Sequence, residues 1–321
     1  MVDVFVVVLP GAFASSVAIT LDVLAAAQTL APRLSLPTPS FRVVGAWAGP
    51  LTLGNGMQVP VEALPSRLPA GRPMWLVPGL GTADATAVRE ALGTPEAAAI
   101  GALLQRAHAQ GHEVAASCAA VLLLGAQGLL DRRQATCTWW LAPELRRVAP
   151  TCGVDSQRMV IHDRGVFTAG AAMAHLDLML AVLRHRFGRP LAEMVAQALL
   201  IASRPSQSRY VQANLLALGD ELVTRIEALV REAMPAVPTV DEIARRMAMS
   251  TRTLHRRVRA ATGRSPIELV QSVRLTAAKA LLQSTRLSVE QVAERVGYQD
   301  TTSLRRLMKQ AMSATPSQLR S

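Results

Sequence analysis

Between Thr239 and Leu319 the chain carries one pattern twice, and an internal repeat of this length leaves few folds open to that segment. The first copy reads Thr239-Val-Asp-Glu-Ile-Ala-Arg-Arg-Met and breaks at Ala248-Met249. It resumes as Ser250-Thr-Arg-Thr-Leu-His-Arg-Arg-Val-Arg and closes on Gly263-Arg-Ser-Pro. The second reads Ser288-Val-Glu-Gln-Val-Ala-Glu-Arg-Val and breaks at Gly297-Tyr298-Gln299. It resumes as Asp300-Thr-Thr-Ser-Leu-Arg-Arg-Leu-Met-Lys and closes on Ser313-Ala-Thr-Pro. A shift of 49 residues superposes Ile243, Ala244 and Met247 on Val292, Ala293 and Val296, whereas a shift of 50 superposes Ser250, Leu254, Arg256 and Pro266 on Asp300, Leu304, Arg306 and Pro316. The second copy has gained one residue in its turn.

Each copy opens on a capping-box pattern, Thr239 with Glu242 and Ser288 with Gln291, in which hydroxyl and later side chain satisfy reciprocal backbone amides. Two short helices per copy follow. In the second of each pair, Leu254 with Val258 and Leu304 with Met308 recur at i, i+4 and must face inward. The outward faces carry Thr251, Arg252, His255, Arg256 and Arg259 in one copy and Thr301, Thr302, Arg305, Arg306 and Lys309 in the other. These are two helix-turn-helix units, at 239–262 and 288–312. A third capping box, Ser265-Pro-Ile-Glu, starts a connecting helix over 265–284. A single basic helix is as readily a solvated face as a reading face. Two basic faces at equivalent places favour double-stranded DNA, because Arg suits guanine edges and phosphate, and Thr reaches bases or backbone.

The charge agrees. From Pro235 onward there are 15 Lys+Arg against 6 Asp+Glu, a net +9, which leaves +2 of the overall +11 for the first 234 residues. On these residues the segment resembles the AraC/XylS-type DNA-binding domain. The matching positions are Ile243-Ala244, Leu254, Gly263-x-Ser-Pro266, Arg274 with Ala277 to Leu282, Val292-Ala293, Gly297-Tyr298 and Thr315-Pro316-x-x-x-Arg320. It departs from that pattern at Ser313, where Gly is usual, and at Leu304 and Leu307, where aromatics are usual. Both departures imply altered packing with the reading residues kept.

With 321 residues the chain has room for a second domain. Val4 to Leu9 is a β-branched apolar run of the kind covered on both faces, and Val17 to Leu30 follows at helical spacing. Strands are expected again at Phe41 to Trp47, Met74 to Val77, directly after His112, at Met159 to His162 and at Val166 to Thr168. Helices are expected in Ala83 to Gln110, split near Gly93-Thr-Pro, and over Ala171 to Phe187 and Leu191 to Ala202. Strands alternating with helices predict a mostly parallel α/β sheet. A polar break, Ser203-Arg-Pro-Ser-Gln-Ser, ends this part, and Leu215 to Met234 reads as an amphipathic helix opening the DNA-binding part. The expected organisation is a domain at 1–202, a linker at 203–214 and a DNA-binding domain at 215–321.

The first domain resembles the ThiJ/PfpI, class I glutamine-amidotransferase-like family. The resemblance rests on Leu21-Asp22-Val23, Val77-Pro78-Gly79, Ser117-Cys118 before an apolar helix, Gly128-Leu-Leu-Asp131, Ala135-Thr136, Trp139 and Leu176-Asp177-Leu178. It implies a flavodoxin-like α/β fold followed by an all-α double helix-turn-helix domain, the combination found in GlxA-type regulators. Cys118 stands where a strand meets a helix N-terminus, a place that can activate a thiol. Enzyme relatives carry His directly after that Cys, where this chain has Ala119, and regulators of this type often carry His where it has Thr138. Without a base beside the nucleophile, a ligand-pocket role for Cys118 is favoured over catalysis, and no catalytic residue is assigned. The resemblance places Asp22 as a carboxyl neighbour. Gly79, Ala119, Thr138 and Trp139 are further pocket candidates, and Trp139 and Trp140, as large apolar residues on an expected helix, are read equally as pocket wall, core or dimer contact. His175 is read as packed or solvated.

Cys118, Cys137 and Cys152 cannot all pair with one another and lack metal-ligand spacing, so a reducing cytoplasm is expected, with no metal and no cofactor. Asp3 and the break at Pro10-Gly11 argue against a signal peptide, and polar or glycine residues interrupt Val114 to Leu130, so no membrane partner is expected. The leading expectation is a sequence-specific transcription regulator, a homodimer sensing a small metabolite that the resemblance suggests is nitrogen-containing, with RNA polymerase a candidate partner. Its rivals are a cysteine-dependent hydrolase or amidase with a DNA-binding tail, and a structural DNA binder without a ligand.

Overall fold

The computed structural model describes residues 2–81, 84–202, 204, 207, 220–262, 264–312, 315, 316 and 318, without the side chains of 310–312. Most of the linker expected at 203–214, the first residues of the helix expected from Leu215, and Gly263, Ser313 and Arg320 lie outside the described residues. Contacts divide the chain into two compact units, Met1–Gln207 and Ser208–Ser321.

In the first unit, the strands are β1 (Val4–Val7), β2 (Phe41–Gly45), β3 (Gly49–Thr52), β4 (Gln58–Ala63), β5 (Met74–Val77), β6 (Glu113–Ser117), β7 (Gln134–Ala135), β8 (Gly153–Val154), β9 (Val160–Asp163) and β10 (Val166–Ala169). Eight of them form one sheet in the order β3-β4-β2-β1-β5-β6-β10-β9, and β7 pairs with β8 separately. Neighbours from β4 to β10 run parallel; the edges β3 and β9 are antiparallel. The predicted parallel sheet is present, with an addition. β3 and β4 escape a periodicity reading because Gly49-Pro50 and Pro60 punctuate them, and in the hairpin Pro50 lies opposite Pro60 near the sheet's edge, where lost ladder donors are tolerated.

The helices of this unit are α1 (Ala14–Leu30), α2 (Ala85–Leu92), α3 (Pro95–Ala109), α4 (Val121–Ala126), α5 (Ala142–Val148), α6 (Ala174–Phe187) and α7 (Arg189–Ala198). They cover both sheet faces. Phe5, Val7, Trp75, Val77, Val114 and Ala116 point to the side packed by α3, α4 and α5, and the alternate residues Val4, Val6, Met74, Leu76, Ala115 and Phe167 to the side packed by α1, α6 and α7. By length and composition alone, the segment Ala14–Leu34 could cross a membrane. In this fold Val17, Val23, Leu24 and Ala27 of α1 are buried in the second of these cores, as in the core helix of a soluble α/β protein.

The second unit holds α8 (Glu221–Glu232), α9 (Val240–Arg246), α10 (Thr251–Thr262), α11 (Pro266–Ser284), α12 (Val289–Arg295) and α13 (Thr301–Met312). All three capping boxes read from the sequence form, at Thr239, Ser265 and Ser288. α11 spans two small cores. Its first half, Leu269, Val270 and Val273, packs with α8, α9 and α10; its second half, Leu275, Ala278 and Leu282, packs with α12 and α13.

Candidate functional site

In the first unit β6 runs into α4 through a one-turn 3-10 segment, Cys118–Ala120, and Cys118 at its start has φ +55°. A non-glycine residue there is strained and persists only where its surroundings fix it. The fixing contacts are visible. The Cys118 amide donates to the Gly170 carbonyl at 2.9 Å, and the elbow presses against Gly79, where a Cβ would stand 2.8 Å from Cys118 Cβ and 3.4 Å from Ser16 Oγ. Gly79 is thus the residue that lets strand β5's exit pass beside the elbow.

Cys118 is 4% exposed, and its sulfur lies 4.0 Å from the Leu80 carbonyl. Burial pushes the thiol up from its ordinary value, against smaller opposing effects of the Thr138 hydroxyl and the Ala119 and Ala172 backbone. The thiol is therefore neutral at physiological pH, and the helix N-terminus does not activate it. Ala119 and Thr138 are fully buried beside it. Trp139 is buried and meets Trp140 edge-on at 5.0 Å, on a 3-10 turn (Trp139–Leu141) leading into α5.

Asp22 is a correction to the sequence reading. It is exposed on α1, and no hydrogen bond links it to the elbow among the described residues. The cause is helical phase: Asp22 lies two positions beyond Thr20, about 200° around the axis. α1 instead turns Ser16 and Thr20, both fully buried, toward the sheet. Ser16 Oγ is buried without a hydrogen-bond partner, and Thr138 Oγ1 is buried with only the Cys118 thiol to interact with.

His175 joins this centre by a route no sequence spacing reveals. Its Nδ1 lies 2.8 Å from Ser117 Oγ and its Nε2 2.6 Å from Thr20 Oγ1, which itself donates to the Ser16 carbonyl at 2.8 Å. Because Thr20 spends its proton on Ser16, Nε2–H must donate to Thr20, and Nδ1 must accept from Ser117. Burial pushes the His175 pKa down to about 3, so the ring stays neutral. It serves Ser117 and not the Cys118 sulfur, and at this pKa it is too weak a base to activate either. The polar positions Ser16 and Thr20, one helical turn apart in an apolar helix, were the available signal.

The end of this unit packs next to the elbow. Gln207 is 2% exposed; its Oε1 accepts from the Ala171 amide at 3.1 Å, and its Nε2 donates to the carbonyls of Cys137 at 3.1 Å and Ser156 at 3.0 Å. Arg204 Nη2 donates to Asp177 Oδ2 at 2.6 Å and to the Met173 carbonyl at 2.7 Å. Both residues thus hold the loop 170–173, which bonds the Cys118 amide through Gly170.

In the second unit, Arg252, His255, Arg256, Arg259, Thr302, Arg305, Arg306 and Lys309 are all exposed on α10 and α13, opposite the buried Leu254, Val258, Leu304 and Met308. Thr251 and Thr301 are half-buried at the helix starts; Thr251 Oγ1 donates to Asp241 at 2.7 Å and so ties α10 to α9. Arg305 meets Glu290 in a long, exposed contact of 3.9 Å. The turns before these helices use equivalent left-handed residues, Ala248 at φ +54° and Gly297 at φ +81°. Arg274, part of the sequence pattern, fixes the second turn: its Nε donates to the Val296 carbonyl at 2.8 Å, its Nη2 to that of Gly297, and its guanidinium covers the Tyr298 ring at 3.7 Å.

Comparison with known proteins follows the same division. Residues 243–321 match a helix-turn-helix domain family and residues 42–185 the DJ-1/PfpI family. The HTH-type transcriptional regulator GlxA of Rhizobium meliloti is 31% identical over 229 residues, 68% of either chain. The HTH-type transcriptional regulator CdhR of Pseudomonas aeruginosa is 27% identical over 282 residues, 87% of this chain and 80% of its own. Among solved structures, an AraC family transcriptional regulator from Pseudomonas putida matches with a TM-score of 0.51 at 20% identity, covering 62% of this chain and all of its own. A ThiJ/PfpI family protein from Pseudomonas syringae matches with a TM-score of 0.52 at 20% identity, covering 72% of this chain and 88% of its own.

Proposed function

Since the chain belongs to the GlxA family of HTH-type transcriptional regulators, we propose that its DJ-1/PfpI unit is a non-catalytic sensor whose small polar ligand sets how the DNA-binding unit engages its operator. The observation that carries this reading is a pair of buried hydroxyls at the elbow, Ser16 Oγ with no hydrogen-bond partner and Thr138 Oγ1 with none but the neutral Cys118 thiol. An unpaired buried hydroxyl costs roughly 1–3 kcal/mol, and a ligand bringing a donor and an acceptor recovers that cost. A nitrogen-bearing metabolite with a carbonyl or hydroxyl meets the requirement. The exposed position of Asp22 removes the carboxylate that would have selected a cation.

Boundaries at 1–202, 203–214 and 215–321 belong to the same proposal, with Arg204 and Gln207 as the fixed start of the linker. So do a cytoplasmic location, a homodimer through the first unit and RNA polymerase as a further partner. Trp47 and Met57, each 62% exposed, are apolar surface that a dimer contact would cover. Arg256 and Arg306 read base edges in successive major grooves, with Arg252, His255, Thr302 and Arg305 beside them and Arg259 and Lys309 on phosphate.

The test is a thermal-shift screen of the full chain against small amines, amino acids and betaines, followed by mass spectrometry of ligand and protein. The sensor reading predicts an unmodified ligand, and Cys118→Ala changing ligand affinity less than about tenfold while DNA affinity without ligand is kept. A product whose formation needs Cys118, or an adduct on Cys118 that turns over, would establish the hydrolase reading instead.

A further inference from the structure

At the end of β6 away from the elbow, Glu113 meets His162 of β9 and His185 from the last turn of α6. One ligating atom from each lies within 4.8 Å of the others, and His185 Nε2 is 2.6 Å from Glu113 Oε1. The rings are held. His162 stacks on Phe167 at 3.8 Å and 7°, and His185 meets His162 edge-on at 4.9 Å and Phe167 at 5.2 Å. Arg186 Nη1 occupies the other carboxylate oxygen at 3.1 Å while donating to the Arg72 carbonyl at 2.9 Å, so Glu113 offers Oε1 alone. The five residues from Glu113 to Cys118 separate this cluster from the elbow by roughly 16 Å along an extended strand.

We propose that Glu113, His162 and His185 bind a divalent first-row transition ion of zinc type, with water completing its coordination. Two imidazoles and one carboxylate form a borderline donor set, preferred by Zn²⁺, Co²⁺, Ni²⁺ and Cu²⁺ over Mg²⁺ or Ca²⁺. On a tetrahedral ion with bonds of about 2.0–2.1 Å, ligand atoms stand about 3.3 Å apart. The close Glu113–His185 pair must therefore open by about 0.7 Å and a pair as wide as 4.8 Å close by about 1.5 Å, which the exposed side chains of His162 and His185 permit. Arg186 acts as the outer partner that orients the carboxylate. The ligands come from three elements distant in sequence, which is why no motif spacing marks them.

The experiment uses the tag-free full chain, stripped with a chelator and titrated with Zn²⁺ by calorimetry and with Co²⁺ by visible absorption. The site predicts one ion per chain, cobalt d–d bands without thiolate charge transfer, and a rise in the Trp-monitored unfolding midpoint on adding Zn²⁺. H162A, H185A and E113Q should each weaken binding at least about tenfold, and midpoints without metal serve as the check that each variant folds. The proposal is overturned by any of three results: no stoichiometric uptake at micromolar Zn²⁺, equal affinity in the H162A/H185A double variant, or a sulfur charge-transfer band.

Discussion

At His175 burial, not a neighbouring charge, decides the chemistry. The ring's folded pKa of about 3 lies below the ordinary 6.5, so between those values the unfolded chain binds a proton that the folded chain does not. The folded state accordingly loses stability as pH falls from 6.5 towards 3, by about 1.4 kcal/mol per unit. Trp47, Trp75, Trp139 and Trp140 all lie in the first unit, so Trp fluorescence in urea reports it alone. Between pH 7 and 5 the wild type should lose about 2 kcal/mol more than His175→Asn; equal losses would show that the ring is not held neutral. How far the site could be read from sequence follows from distance along the chain. Cys118 was found because its neighbours alone mark a strand turning into a helix. His175 was not, because its partners Ser117 and Thr20 stand 58 and 155 residues away and only the sheet brings them together. For Asp22 the sequence is ambiguous, because a family position fixes the helix but not which face of it turns to the elbow, and the structure leaves Asp22 exposed.

Among the elements, the two turns show what duplication conserves. Ala248 and Gly297 occupy the same left-handed place, but only in the second is the space closed: a Cβ on Gly297 would strike the Pro235 carbonyl. Gly297→Ala should therefore destabilise the second unit by about 1–3 kcal/mol, from strain plus the clash, whereas Ala248→Gly should be neutral or stabilising by up to about 1 kcal/mol. Far-UV circular dichroism melts of the two variants check the asymmetry, and equal effects would contradict it. The helical half was legible almost entirely from sequence because capping boxes and i, i+4 apolar pairs are local signals. The sheet was legible where strands are buried runs such as Val4–Val7 and Met74–Val77, and illegible at β3 and β4, whose prolines look like loop residues until an edge position tolerates them.

For the whole molecule, the proposed sensor requires that a ligand at the elbow be felt along the chain. Gln207 and Arg204 brace the loop 170–173, whose first carbonyl holds the Cys118 amide, and the chain leaves the first unit from Gln207. With an effector identified by thermal shift, Gln207→Ala should leave effector-free DNA affinity within about threefold of wild type and bring the effector's influence on it close to none; an undiminished influence would assign the coupling elsewhere. The central claim, that both basic helices read sequence, is tested most directly by selecting duplexes from a random library with the full chain, then measuring Arg256→Ala and Arg306→Ala on the selected and a scrambled duplex. Two elements about one turn apart, roughly 34 Å, should be enriched and bound at least about 10³-fold more tightly than the scramble. Each substitution should cost about 1–3 kcal/mol on the selected duplex, relax preference in one element, and change affinity for the scramble far less. Equal losses on both duplexes would reduce these arginines to phosphate contacts and contradict the account.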